Sequence, residues 1–198
     1  MKNLFTLMIG LVCTLNAVAQ GEQRVAQTND ITWLGLDFSK AVVVGETASA
    51  NEFMERFIPG WNALVFSESK KYDIGKFYKK PNVHYSMDFI NGLNAARDPS
   101  TIIRYESSSI NEDELAKHIS NYNLQASGVG LVYVIESFNK LEEKGSMWVV
   151  FLDMETNQIL LARRMEAKPM GFGVRNYWAR TVYDVMQDSG KQLKKWVK

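Results

Sequence analysis

The chain is expected to fold as an α/β protein of the α+β kind: a single mixed sheet with a C-terminal three-strand antiparallel meander, packed by about three helices. Three observations predict it. Runs of β-branched and aromatic residues with strand period alternate with stretches of helical period. The segments SGVGLVYVIESF, SMWVVFLDM and QILLARRMEA follow one another through the short polar links NKLEEKG and ETN, which favours antiparallel neighbours. With 46% apolar residues in a chain of 198, there is enough material for one large core.

The first segment, MKNLFTLMIGLVCTLNAVAQG, has Lys2 as its only charge, then an apolar run, then Ala17, Val18 and Ala19 ahead of Gln20. This is the pattern of a secretory signal peptide over residues 1–19. The run is too short and wrongly flanked for a membrane span, which needs about 20 apolar residues. Cys13, the single cysteine, follows Val12 and not the small residue that a lipid-anchor motif requires. The mature chain is therefore expected to be exported, periplasmic or secreted, with no transmembrane segment, no disulfide and no cysteine metal site. Its 22 basic residues face 22 acidic ones once Lys2 is removed, so nothing favours a nucleic-acid partner.

Residues 20–30, QGEQRVAQTND, are polar without period and read as a flexible leader; residues 31–198 read as a single domain. Ile31 to Val44 is extended, as one long strand or two consecutive ones. Ser49 and Glu52 have capping-box spacing ahead of Phe53, Phe57, Trp61, Leu64 and Val65, a buried helical stripe in which Pro59 should make a kink or a break. NVHYSMDFI alternates as a half-buried strand, NGLNAARDP is rich in turn residues, and STIIRYE has the composition of another short strand. Asn111 and Glu114 form a second capping box, with Ile110 and Leu115 at the staple positions and Leu115, Ile119 and Tyr122 facing inward. After the meander, a helix from about Val174 to Lys195 carries Trp178, Val182, Val185, Met186 and Leu193 on one face. Lys191, Lys194, Lys195 and Lys198 lie at its C-terminal end, where cations complement the helix dipole.

Signatures of chemistry are sparse. There is no HExxH helix, GxSxG elbow or EF-hand loop. His84 falls on the polar side of a strand and His118 beside an apolar stripe, so both read as solvated or half-exposed. Ser67 and Lys70 satisfy S-x-x-K without the supporting elements of that class. The pairs Glu112–Asp113 and Glu142–Glu143 fall in a helix first turn and a solvated link, and Met87, Met147, Met154, Met165 and Met186 fall within or beside core elements. No catalytic residue, metal site or cofactor is expected.

One stretch stands out: KPMGFGVRNYWARTVYDVM, in which Gly171 and Gly173 precede a helix with Arg175, Asn176, Tyr177 and Trp178 at its mouth. A glycine-rich entry to a helix presents backbone donors and a positive dipole end, and Arg175 would add a fixed charge. The third glycine of a dinucleotide loop is replaced by Asn176, and the G-K-[ST] of a phosphate loop is missing. Three readings stay open for these six residues: a plain turn, an anion or small-ligand site, and an aromatic-and-arginine contact with a partner.

The unit MWVVFLDMETNQILLARRM, with Asp153, Thr156 and Asn157 between two strands, resembles the strand, D-x-x-T-G, strand unit of bacterial envelope domains such as the curli-secretion lipoprotein and the activator of penicillin-binding proteins. Asn157 stands where those families carry glycine. WLGLDFS, GVGLVYVIESFNK and GFGVRNYW are similar to stretches of uncharacterised exported proteins of the Bacteroides type. The resemblance implies an α/β sandwich that binds another envelope protein and is not an enzyme; it leaves self-association open. The expectation is a cell-envelope binding or assembly module, with a small-ligand or anion binder at Gly171–Asn176 as the alternative.

Overall fold

In a computed structural model that describes residues 19–197, the centre is a strand, β4 (Val129–Asn139), whose eleven residues are all buried. On one side it pairs in parallel with β1 (Asp30–Asp37) and, past the end of β1, with β2 (Val42–Val44). On the other side it pairs antiparallel with β5 (Lys144–Asp153), which pairs antiparallel with β6 (Ile159–Ala167). β3 (Asn82–Tyr85) lies parallel to β1, and the order is β3-β1-β4-β5-β6 with β2 beside the distal part of β4. The single mixed sheet and the meander are present. The extended run from Ile31 to Val44 is two strands.

Side chains alternate across the sheet into two cores. Leu131, Tyr133, Val149 and Phe151 belong to the larger and Val132, Val134, Val150 and Leu152 to the smaller. The phase slips at two bulges, between Trp33 and Gly35 in β1 and between Ile135 and Ser137 in β4. One extra residue at each brings Leu36, Phe38 and Phe138 onto the same face as Trp33 and Tyr133. Gly35 takes φ +113°, and a Cβ there would lie 2.8 Å from Asn62 Oδ1.

The capping box of Ser49 and Glu52 opens α2 (Ala50–Glu52). A π-helical turn, Phe53–Phe57, follows and leads into α3 (Ile58–Ser67), with Pro59 in its first turn. Proline has no N–H for an α-helical bond, so the expected break takes the form of a wider turn just ahead of it. α4 (Ile74–Tyr78) and the long α7 (Gly173–Trp196) cover the larger core with α3; Trp178, Val182, Val185, Met186 and Leu193 are its buried stripe, as the period predicts. α6 (Glu112–Ser120), capped by Asn111 and Glu114, lays Leu115 and Ile119 on the smaller core.

Three expectations are corrected. Residues 20–30 are not an unstructured leader, for residues 19–27 form a helix, α1, with Val25 buried. Its sequence lacks an apolar stripe because tertiary polar contacts hold it: Arg24 to Asp153, Glu22 to Arg163, and Lys80 Nζ donating to the carbonyls of Val25 and Thr28 at 2.7 Å each. The proposed strand through Phe89 stops at Tyr85, and Asp88–Ala95 is a helix, α5, whose buried face is Ile90 and Asn94; an asparagine and a glycine in a short helix mask its period. STIIRYE contributes only a bridge from Ile103 to Val43 after a 3₁₀ turn at Pro99–Thr101. α1, α4 and α5 thus add to the helices foreseen. The expected signal segment lies outside the described residues except for Ala19.

α4 and α7 meet at backbone distance. A Cβ on Gly190 would stand 2.3 Å from the Phe77 carbonyl oxygen. Beside this contact the hydroxyls of Tyr78, Tyr133 and Ser189 form one buried hydrogen-bonded group. Gly190→Ala should therefore lower unfolding stability by about 1–3 kcal/mol, although alanine favours helices. Urea titration should show a lower midpoint with an unchanged slope.

Candidate functional site

The entry to α7 is built on an aromatic floor. Trp178 is fully buried and lies flat on Phe138, with ring centroids 4.5 Å apart and planes 1° apart. Its indole N–H donates to Glu46 Oε1 at 2.9 Å, a carboxylate that is itself buried and paired with Lys140 at 3.0 Å. Trp61, stacked with Phe38 and Phe57, donates from Nε1 to the Arg175 carbonyl at 2.9 Å. Tyr72 donates to the Ala179 carbonyl at 3.2 Å. Together these contacts fix the first turns of the helix. Of the six residues singled out in the sequence, Trp178 is thus an anchor.

The other five lie above that floor. Gly171 and Gly173 take φ +122° and +76°, conformations that favour glycine and that reverse the chain out of β6 into the helix. Gly171, Gly173, Arg175 and Asn176 are exposed, and Tyr177 is half-buried edge-on to Trp178. Arg175 reaches Glu68 Oε1 at 3.3 Å and Asn176 Oδ1 at 3.1 Å. The helix opens with no side-chain cap and no acidic residue in its first turn. Beside it Phe172 is 93% exposed and Met170 60%. The stretch is an exposed knob with apolar tips at a helix start that no side chain caps, and its one guanidinium is already paired with a carboxylate.

Asp153 of the D-x-x-T-N turn accepts from the backbone N–H groups of Glu155 and Thr156 at 2.8 and 3.2 Å. Asn157 takes φ +54° and donates to the Tyr122 carbonyl at 2.6 Å. These contacts shape the β5–β6 hairpin. Ser67 and Lys70 are exposed at and just past the end of α3. No group of three or more His, Cys, Asp or Glu side chains converges as metal ligands among the described residues.

A second polar group, which the sequence reading missed, sits at the carboxyl end of β1. Asp37 is fully buried; its Oδ2 accepts from Tyr122 and from His118 Nε2 at 2.7 Å, and its Oδ1 from the Ser39 backbone at 2.8 Å. His84 is exposed as expected, but His118 is not: its side chain is 12% exposed. The correction has a sequence signal, an aspartate inside the apolar run ITWLGLDF, which needs a buried partner. The hydroxyl of Ser39 lies 3.4 Å from the same His118 Nε2 that serves Asp37. A relay between acid and nucleophile uses both imidazole nitrogens, one for each partner. With both contacts on one nitrogen, the arrangement serves to pin α6 to the sheet. Next to it Arg97 donates to the carbonyls of Phe38 and Thr101 at 2.5 and 2.9 Å, and burial pulls its guanidinium down to about 10.

No protein-family model matches the chain, and no curated protein does. Among solved structures, the hypothetical protein CT253 from Chlamydia trachomatis aligns at 9% identity over 86% of this chain and 98% of its own, with a TM-score of 0.35. The C-terminal domain of LpoB from Salmonella enterica aligns at 8% identity over 74% of this chain and 94% of its own, with a TM-score of 0.31. Neither score carries an argument about activity. The similarity to Bacteroides-type exported proteins has no counterpart in these comparisons.

Burial pushes the Asp37 carboxyl up, but the hydrogen bond and charge of His118, with the bonds from Ser39 and Tyr122, outweigh it and hold the group below its ordinary value of 3.8. A depressed carboxylate contributes stability above the unfolded value, and that contribution is lost as pH falls through the folded one. Asp37→Ala should cost about 3–5 kcal/mol near neutral pH, because it strands His118 and Tyr122. In chemical denaturation from pH 7 to pH 2, the gap between wild type and Asp37→Ala should stay level down to about pH 5 and shrink below pH 4.

Proposed function

We propose that this chain is an exported cell-envelope protein acting as a non-enzymatic binding or assembly module, with the knob at residues 170–177 as its contact with another envelope protein. The observation that carries this is the exposure of Phe172 and Met170 on a rigid base. A phenylalanine 93% open to water contributes nothing to its own core, yet the residues around it are fixed by Trp178, Trp61 and Tyr72. Rigid apolar tips lose little conformational freedom on binding, which is what a contact surface needs. The uncapped first turn of α7 adds donors and a positive dipole end beside those tips, matching a partner that brings an apolar pocket rimmed by an acidic group.

The anion-binding alternative for Gly171–Asn176 has less support. Arg175 is engaged by Glu68, and Gly171, Gly173 and Asn176 are exposed. The reading as an envelope protein rests on the signal-like first 19 residues. It is compatible with the described residues, in which no helix is long and apolar enough to cross a membrane.

The test is crosslinking in envelope extracts of cells that make the full chain, comparing wild type with Phe172→Ser and with Met170→Ser. Each substitution should reduce recovery of a specific crosslinked partner about tenfold, the effect of removing one good interface contact, with the circular dichroism spectrum unchanged. Equal recovery from all three proteins would remove the knob from the interface. A leader still attached to the recovered protein would remove export.

A further inference from the structure

We infer that the outer edge of β6 is a self-pairing surface, on which a second copy of this chain adds antiparallel about an axis through Met165. β6 is an edge strand, bonded to β5 on one side only, and an edge strand presents the N–H and C=O of alternate residues outward. Its first half is obstructed, because α1 approaches so closely that a Cβ on Gly21 would lie 2.6 Å from the Leu160 carbonyl oxygen. Farther along, past the Ala162 carbonyl that accepts from Arg163 Nη1 at 2.8 Å, none of the backbone bonds made outside helices and strands reaches the outer edge over residues 163–167 among the described residues.

The charges on the open part select a register. Arg164 and Glu166 share one face, with 38% and 39% of their side chains exposed. Charged residues on an edge strand commonly prevent pairing, since like charges meet in most registers. Here the two signs alternate. With the axis at Met165, Arg164 of one copy lies opposite Glu166 of the other, twice, and Arg163 lies opposite Ala167. Moving the axis one residue back sets Arg164 against Arg164, and one residue forward sets Glu166 against Glu166. Arg164 uses Nε on the buried Glu136 at 2.7 Å and Nη1 on its own Glu166 at 2.9 Å, so its guanidinium is already oriented, with Nη2 left over. The favoured axis falls inside the stretch that α1 leaves open. This surface is separate from the knob at residues 170–177 and does not depend on it.

The sole cysteine, Cys13, lies in the leader, so single cysteines in the mature chain report this geometry without background. Opposed residues of an antiparallel pair lie about 4.5–5.5 Å apart at Cα, within disulfide reach. Two copies of residue 163, or of residue 167, would be offset by about 13 Å along the strands. Under mild oxidation, Met165→Cys should form a disulfide-linked dimer at least about tenfold faster than Arg163→Cys or Ala167→Cys, as expected when only one site brings its thiols within reach. A mixture of Arg163→Cys and Ala167→Cys chains should link to each other. Similar rates at all three positions, faster linking at 163 or 167 alone, or no dimer from any variant that keeps its circular dichroism spectrum would overturn the inference. If Met165→Cys fails to fold, the mixed pair decides: cross-linking between the two supports the pairing, and its absence refutes it.

Discussion

The pairing of β4 with β5 imposes the constraint that organises the molecule. Both strands are buried on both faces for almost their whole length, so each presents two apolar surfaces that must be covered. The larger surface takes α3, α4 and α7, and the smaller takes α5 and α6. Burial of this kind is worth about 25 cal/mol for each Å² of apolar area removed from water, far more than any single polar contact described above. The elements that flank the pair are placed by the need to cover it.

Polar groups then settle details that apolar burial leaves loose. β1 has a strand neighbour on its outer side only as far as Trp33. Past that point the amides of Asn62 and Asn94 act as the neighbour: Asn62 exchanges two bonds with Leu36 at 2.8 and 3.0 Å, and Asn94 bonds the Leu36 carbonyl and the Phe38 N–H at 2.8 and 2.7 Å. A buried backbone without such partners would cost about 1–3 kcal/mol per group. The two helices that cover β1 therefore also complete its hydrogen bonding. Glu136 does similar work at the bulge in β4, accepting from the Ile110 N–H and from Arg164 and so fixing where α6 begins.

These buried networks bear on function. Asp37 with His118, Glu46 with Lys140 and Trp178, and the hydroxyls of Tyr78, Tyr133 and Ser189 are engaged with one another inside the fold. Among the groups that face outward are Phe172 and Met170 at the head of α7 and the open half of β6. The proposed contacts with other chains use those two features.

Much of this was legible in the amino-acid order because the signals are local. Ser49 with Glu52 and Asn111 with Glu114 start helices wherever they precede a helical stripe, and consecutive β-branched and aromatic runs over residues 129–167, joined by short polar links, favour a meander. The stripe through Trp178 and Leu193 identified the buried face of α7 for the same reason. What could not be read depends on partners distant in sequence. α1 is helical because Asp153, Arg163 and Lys80 meet it, and α5 is helical because Asn94 has β1 to bond. His118 turns its ring inward because Asp37, 81 residues away, requires a donor. At the entry to α7 the order of residues supplied two glycines, an arginine and two aromatic rings. The packing of Trp178 on Phe138 and the reach of Arg175 to Glu68 turned those residues into a fixed knob, because burial and charge pairing are properties of neighbours in space.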